Sequence, residues 1–153
     1  MNKEEKELLN KLLCAMFPYR VICSVVHKKD GRLVEEDMKL SGMFEDGNFY
    51  FTDEMGSTYS DNYIPYLRPM SSMTEDEQKV FSDIESEFLE TLVKKVQQIK
   101  DDNERRHLLQ KAVAKRTYEM VQFYNKSHLD YNGLIEKGLA LEAPKGMYER
   151  RYN

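Results

Sequence analysis

Ser71 or Ser72, taken with His128 and Asp130, supplies the residue types of a nucleophile, a base and a group that orients the base. Residue type allows a plainer reading. Ser and Asp are common cap residues, so caps and turns account for these positions without a catalytic triad. Metal chemistry has less support. Cys14, Cys23, His27, His107 and His128 form no Cys-x-x-Cys or His-x-x-x-His pair. On a strand, Cys23 and His27 would share a face yet lie about 13 Å apart, so Cys23 reads as a small buried apolar residue. The seven glycines contain no phosphate-cradling motif. The acidic runs Glu35-Glu36-Asp37 and Asp53-Glu54 read as solvated turn and edge residues. The expectation is therefore no catalytic residue, no metal and no cofactor.

A second chemistry is phosphate recognition. Arg105, Arg106, Lys111, Lys115 and Arg116 populate one helical stretch, and Tyr50, Tyr59, Tyr63 and Tyr66 could stack bases, as in small barrels that hold single strands. Charge opposes it. Residues 1–73 carry 9 basic and 12 acidic side chains, a net of −3, and Glu45, Asp46, Asp53, Glu54 and Asp61 crowd the same strands as the tyrosines. Affinity for nucleic acid comes largely from cations that displace counterions, so a solvated helix face is favoured over a nucleic-acid surface.

These residues must be held by a chain of 153 residues with net charge −4, 41% apolar and 11% aromatic, enough for one domain with a real core. The N-terminus is charged from Lys3 to Glu7, unlike a secretory leader, and no apolar run approaches the roughly 20 residues of a membrane span. A cytoplasmic protein with both cysteines reduced is expected.

Asn2 with Glu5 forms a capping box, and Leu8, Leu9, Leu12, Leu13 and Met16 recur at helical spacing until Pro18, which predicts a helix over residues 3–16. Val21 to Val26 is strand-like, Asp30-Gly31 signals a tight hairpin, and a second Asp-Gly at 46–47 divides further apolar runs. A meander of three to five short antiparallel strands follows. Pro65 and Pro69 place Tyr66 to Arg68 at a sheet edge or just beyond it. Thr74 with Glu77 then opens a helix along Phe81, Ile84, Phe88, Leu92, Val96 and Ile99. A break at residues 100–103 and a second helix to about Lys126 complete a helical hairpin. Asp130 caps a short helix over Tyr131 to Lys137, ended by Gly138.

The runs 66–74 (YLRPMSSMT), 128–135 (HLDYNGLI) and 136–148 (EKGLALEAPKGMY) together resemble a family of small proteins of Bacteroides-type gut bacteria, found in their phages and mobile elements. That family has no assigned activity, cofactor or catalytic residue. The resemblance implies a cytoplasmic, mobile-element origin and prompts one structural expectation: Tyr66, Arg68, Ser71 and Ser72 lie ordered and partly exposed beside His128, Asp130 and Tyr131, as a binding region.

The resulting expectation is an α+β fold. An N-terminal helix and a small antiparallel meander, open or barrel-like, form residues 1–73; a helical hairpin and short C-terminal helix form residues 74–153, packed as one domain with the first. The expected function is a non-enzymatic interaction protein of a phage or mobile element. It would bind an unidentified protein partner or itself, with single-stranded nucleic-acid binding as the alternative and no membrane association.

Overall fold

The computed structural model describes residues 1–45 and 47–149. The fold is α+β, and the chain divides into two compact units: residues 1–70 with the segment from His128, and residues 71–127.

The first unit opens with α1 (Lys3–Met16), whose N-terminus is held by both halves of the Asn2/Glu5 capping box at 2.8 Å each. Pro18 falls in a 3₁₀ turn, Phe17–Tyr19, that ends the helix. A six-stranded sheet follows: β1 (Ile22–Lys29), β2 (Arg32–Met43), β3 (Phe49–Asp53), β4 (Gly56–Tyr59), β5 (Asn62–Leu67) and β6 (Leu141–Glu142). The spatial order is β4-β3-β2-β1-β5-β6. Asp30 and Gly31 both have positive φ, 52° and 77°, as the tight β1–β2 hairpin requires. The first five strands pair antiparallel, and β6 joins β5 in parallel.

Alternation sorts the side chains onto two faces. Leu9, Leu12, Leu13 and Met16 of α1 pack on Cys23, Val25, Met38, Leu40, Phe49 and Phe51 from one face of the sheet. Each such side chain contributes about 1.5–3 kcal/mol on burial. Burial also pushes the Cys23 thiol pKa far up. The opposite face carries Ser24, Asp37, Ile64 and Tyr66, tied together where Ser24 Oγ donates to Glu35 (2.7 Å) and the Tyr66 hydroxyl to Asp37 (2.8 Å).

Four sequence expectations are corrected. The sheet is open, with β4 at one end and β6 at the other, and does not close into a barrel. Glu35, Glu36 and Asp37 lie inside β2 rather than in a turn, because Ser24, His27 with Lys29, and Tyr66 supply partners for their carboxylates. Residues 131–137 are a chain of turns, not a helix. Gly133 and Gly138 have φ of 67° and 74°, and a left-handed residue so early stops helical propagation. Lastly, the segment from His128 belongs to the sheet unit instead of the hairpin: Leu134, Leu139 and Ala140 enter the core beside α1, and β6 extends the sheet beyond Tyr66 and Leu67.

The second unit is an antiparallel helical hairpin. In α2 (Glu75–Thr91) the Thr74 hydroxyl accepts from the Glu77 amide (3.2 Å), and the helix widens into a π-turn over Leu92–Val96. In α3 (Asp102–Lys126) the Asp101 carboxylate accepts from the Glu104 amide (2.9 Å). No helix among the described residues is long and apolar enough to cross a membrane.

Candidate functional site

The region singled out from the sequence is partly assembled. Arg68 and Leu129 form an isolated parallel bridge, in which the Arg68 amide donates to the His128 carbonyl (2.7 Å) and the Asp130 amide to the Arg68 carbonyl (2.8 Å). Tyr66 pairs with Leu141, and both Tyr66 and Arg68 are half-buried. Ser71 and Ser72 are exposed in a 3₁₀ turn, Met70–Ser72, where the hairpin unit begins.

The buried side chains of this region are engaged with backbone. His128 Nε2 lies 2.6 Å from the Tyr19 carbonyl oxygen, and its ring stacks on Tyr148 with centroids 3.7 Å apart and planes at 6°. The Tyr148 hydroxyl donates to the Tyr66 carbonyl (2.7 Å) and accepts from the Ile22 amide (3.1 Å). Both Asp130 oxygens accept from backbone, from Leu134 (2.7 Å) and Ile135 (2.9 Å). Chemically, this is a clasp. It seats the C-terminal segment against β1 and β5 through His128 Nε2, both Asp130 oxygens and the Tyr148 hydroxyl, each of which faces main chain. Sequence reasoning found His128, Asp130 and Tyr131 and missed Tyr148, which no local pattern marks as a partner of residues so far away along the chain.

A different cluster stands open at the other end of the sheet. Between Leu40 and Gly42 the β2–β3 register shifts, a bulge at Ser41, whose hydroxyl bonds Thr52. Beyond it, the ring of Tyr50 lies where a Cβ on residue 42 would stand, so only glycine admits it. Tyr50 then meets Phe44 (ring centroids 5.2 Å) and pairs across strands with Tyr59, which is itself 6.4 Å from Phe44. Phe44 and Tyr59 are each 50% exposed. Strand β4 forms the rim, with no strand paired on its outer side among the described residues.

The stretch itself is one-sided in charge, with Lys39 of β2 opposite Thr52 and Lys29 near Asp53. Residues 40–67 contain no Lys, Arg or His, and five carboxylates: Glu45, Asp46, Asp53, Glu54 and Asp61. Asp46 lies outside the described residues. Asp53 and Glu54 flank the β3–β4 turn, where Asp53 accepts from the Met55 amide (2.8 Å), and Met55 is 85% exposed. The aromatic, acidic patch is visible in the sequence through Tyr50, Tyr59 and the acidic residues. Phe44 joins it through ring contacts with Tyr50 and Tyr59 that the sequence does not mark.

The remaining tyrosines are placed elsewhere. Tyr63 faces α1: its ring packs on Phe49 and Phe51, its hydroxyl donates to Asn10 (3.1 Å), and burial pushes its pKa up to about 12. Tyr66, bonded to Asp37, has its pKa raised by burial first and by that carboxylate second. Neither offers a free ring face beside Tyr50 and Tyr59.

The basic residues of α3 are largely matched within the hairpin. Lys115 bonds Glu87 and sits 3.7 Å from Glu119; the Glu87 bond, with the charge behind it, raises the Lys115 pKa. Arg116 grips Glu85 through Nε (3.0 Å) and Nη2 and lies 5.0 Å over the Phe88 ring. Arg105 pairs with Asp102, while Arg106 and Lys111 are exposed. A phosphate would have to compete with carboxylates for three of the five cations.

No protein-family model, no curated protein and no solved structure matches this chain.

Proposed function

We propose that this protein is a non-enzymatic interaction module that binds an extended, basic segment of a partner protein along strand β4. The observation that carries the reading is the exposed Phe44–Tyr50–Tyr59 cluster beside an unpaired edge strand, in a stretch that holds five acidic residues and no basic one. An edge strand offers main-chain hydrogen bonds to an added strand, and alternate side chains of that strand reach the neighbouring face. Apolar residues of the partner would lie on the three rings, with its lysines or arginines beside Asp53, Glu54 and Asp61. A second copy of the chain fits this edge poorly. Antiparallel pairing of β4 with itself would bring the Asp53–Glu54 end of one strand toward the Asp61 end of the other, so like charges would oppose. The resemblance to phage and mobile-element proteins supports an accessory role, with the partner encoded by the host or by the element.

The test uses the full chain and two short peptides, one alternating lysine with valine and one alternating glutamate with valine, followed by amide chemical shifts. The lysine peptide is expected to move the amides of Gly56–Tyr59 and to bind at least about tenfold more weakly to Phe44→Ser/Tyr59→Ser, a loss of about 1.4 kcal/mol. The glutamate peptide should not bind. Lysine-peptide shifts confined to other surfaces, or equal binding of both peptides, would overturn the reading. Single-stranded RNA in place of the peptide provides the contrasting outcome: salt-sensitive RNA binding at Tyr50 and Tyr59 would replace a protein partner with a nucleic acid.

A further inference from the structure

The hairpin unit has two helices and almost no interior. Among its described residues only Val96, Met120 and Asn125 are buried, and α2 buries none of its side chains. Isolated helical hairpins gain little from propensity and depend on packing of their apolar faces. Here part of that face is open: Leu89 and Val93 are each 56% exposed, Leu109 39% and Val113 42%.

Helix geometry places these four residues together. The cleft between the helices is lined by Ile84, Phe88 and Thr91 of α2 and by Ala112 and Arg116 of α3. Leu89 follows Phe88, and Val113 follows Ala112, each turned about 100° from a cleft residue in the same rotational sense. Because the helices run antiparallel, that rotation carries both to the same side of the hairpin; Val93 and Leu109 extend the rows by one turn. One step in the other sense lie Asp83 and Glu90 on α2, with Lys111 and Lys115 on α3. One side of the hairpin therefore carries an apolar strip, bounded by Glu85 one turn before Leu89, and the other side is charged.

The charges also select what covers the apolar side. Helix α2, residues 75–91, has seven acidic and one basic residue; α3, residues 102–126, has three acidic and six basic, so the helices carry −6 and +3. We infer that the apolar side of the hairpin is the dimer interface between two copies of this chain, closing a four-helix bundle. A twofold axis parallel to the helices sets each acidic α2 against the basic α3 of the other copy, and every neighbouring pair then runs antiparallel. The alternative axis, across the helices, sets α2 on α2 and repels.

Mass measured by light scattering as the full chain is concentrated should move from one copy to two. Leu89→Glu and Val113→Glu should each weaken the dimer by more than about tenfold, while Asp83→Lys on the charged side, the control for folding and for general charge effects, should leave it intact. Mixing Leu89→Cys with Val113→Cys, both in a Cys14→Ser background, should give the disulfide between the two different variants in preference to either like pair. A chain that stays monomeric at the highest concentration would assign the face to another protein and overturn the inference. So would a dimer insensitive to both glutamate variants, or like-with-like disulfides.

Discussion

At the scale of single residues, Tyr148 carries more of the fold than its position near the described end of the chain suggests. Its hydroxyl is the partner of two main-chain groups on two strands, the Ile22 amide and the Tyr66 carbonyl, and its ring covers His128. His128 adopts φ of 58°, a left-handed conformation that costs a non-glycine residue roughly 1–2 kcal/mol unless the surroundings hold it. The stack on Tyr148 and the approach to the Tyr19 carbonyl supply that hold. Tyr148→Phe keeps the ring and strands both backbone groups, so equilibrium denaturation should show a loss of about 2–3 kcal/mol. Tyr63→Phe is the comparison, since it removes one bond, to the side chain of Asn10, from a half-buried phenol. It should cost about 1 kcal/mol or less. Equal losses in the two variants would remove the special role assigned to the clasp.

At the scale of elements, most boundaries are legible because their signals are local. Asn2 with Glu5, Asp30-Gly31 and Thr74 each specify a cap or turn within three residues, and the structure follows all three. The C-terminal segment is not legible in the same way. Asp130 does cap the residues after it, but Gly133 turns the chain before a helix propagates, and the two residues of β6 are too few to show a period. Interhelical pairing is equally hidden. Lys115 and Arg116 look from the sequence like a solvated basic face, yet they meet Glu87 and Glu85 from the facing helix. Lys115→Glu with Arg116→Glu should therefore lower the melting temperature of the helical signal by setting carboxylate against carboxylate. Adding Glu85→Lys and Glu87→Lys should recover most of the loss. A double reversal that leaves melting unchanged would return these residues to the role of solvated surface.

At the scale of the whole molecule, the chain interrupts one unit with another. The sheet unit is built from residues 1–70 and from His128 onward, and the hairpin lies between them in sequence. The order of elements along the chain suggests a sheet followed by helices, because no pattern in a single sequence records that Arg68 and Leu129 are neighbours. Yet they are bridged through main-chain bonds of 2.7 and 2.8 Å, so the chain leaves the sheet unit and returns to it at one place. The core under α1 draws on residues from Leu9 to Leu67 and from Leu134 to Ala140, and none from 71 to 127. A unit that owns its core and brings its cut ends together should fold without the insertion. Replacing residues 71–127 with a short Gly/Ser linker should accordingly give a soluble protein that unfolds cooperatively and keeps the β-sheet signal. On the readings proposed above, that protein would be monomeric and would still bind the lysine peptide at β4. Loss of cooperative unfolding in the shortened chain would mean that the hairpin supplies stability the sheet unit lacks. Intact folding with loss of peptide binding would instead move the binding surface away from β4.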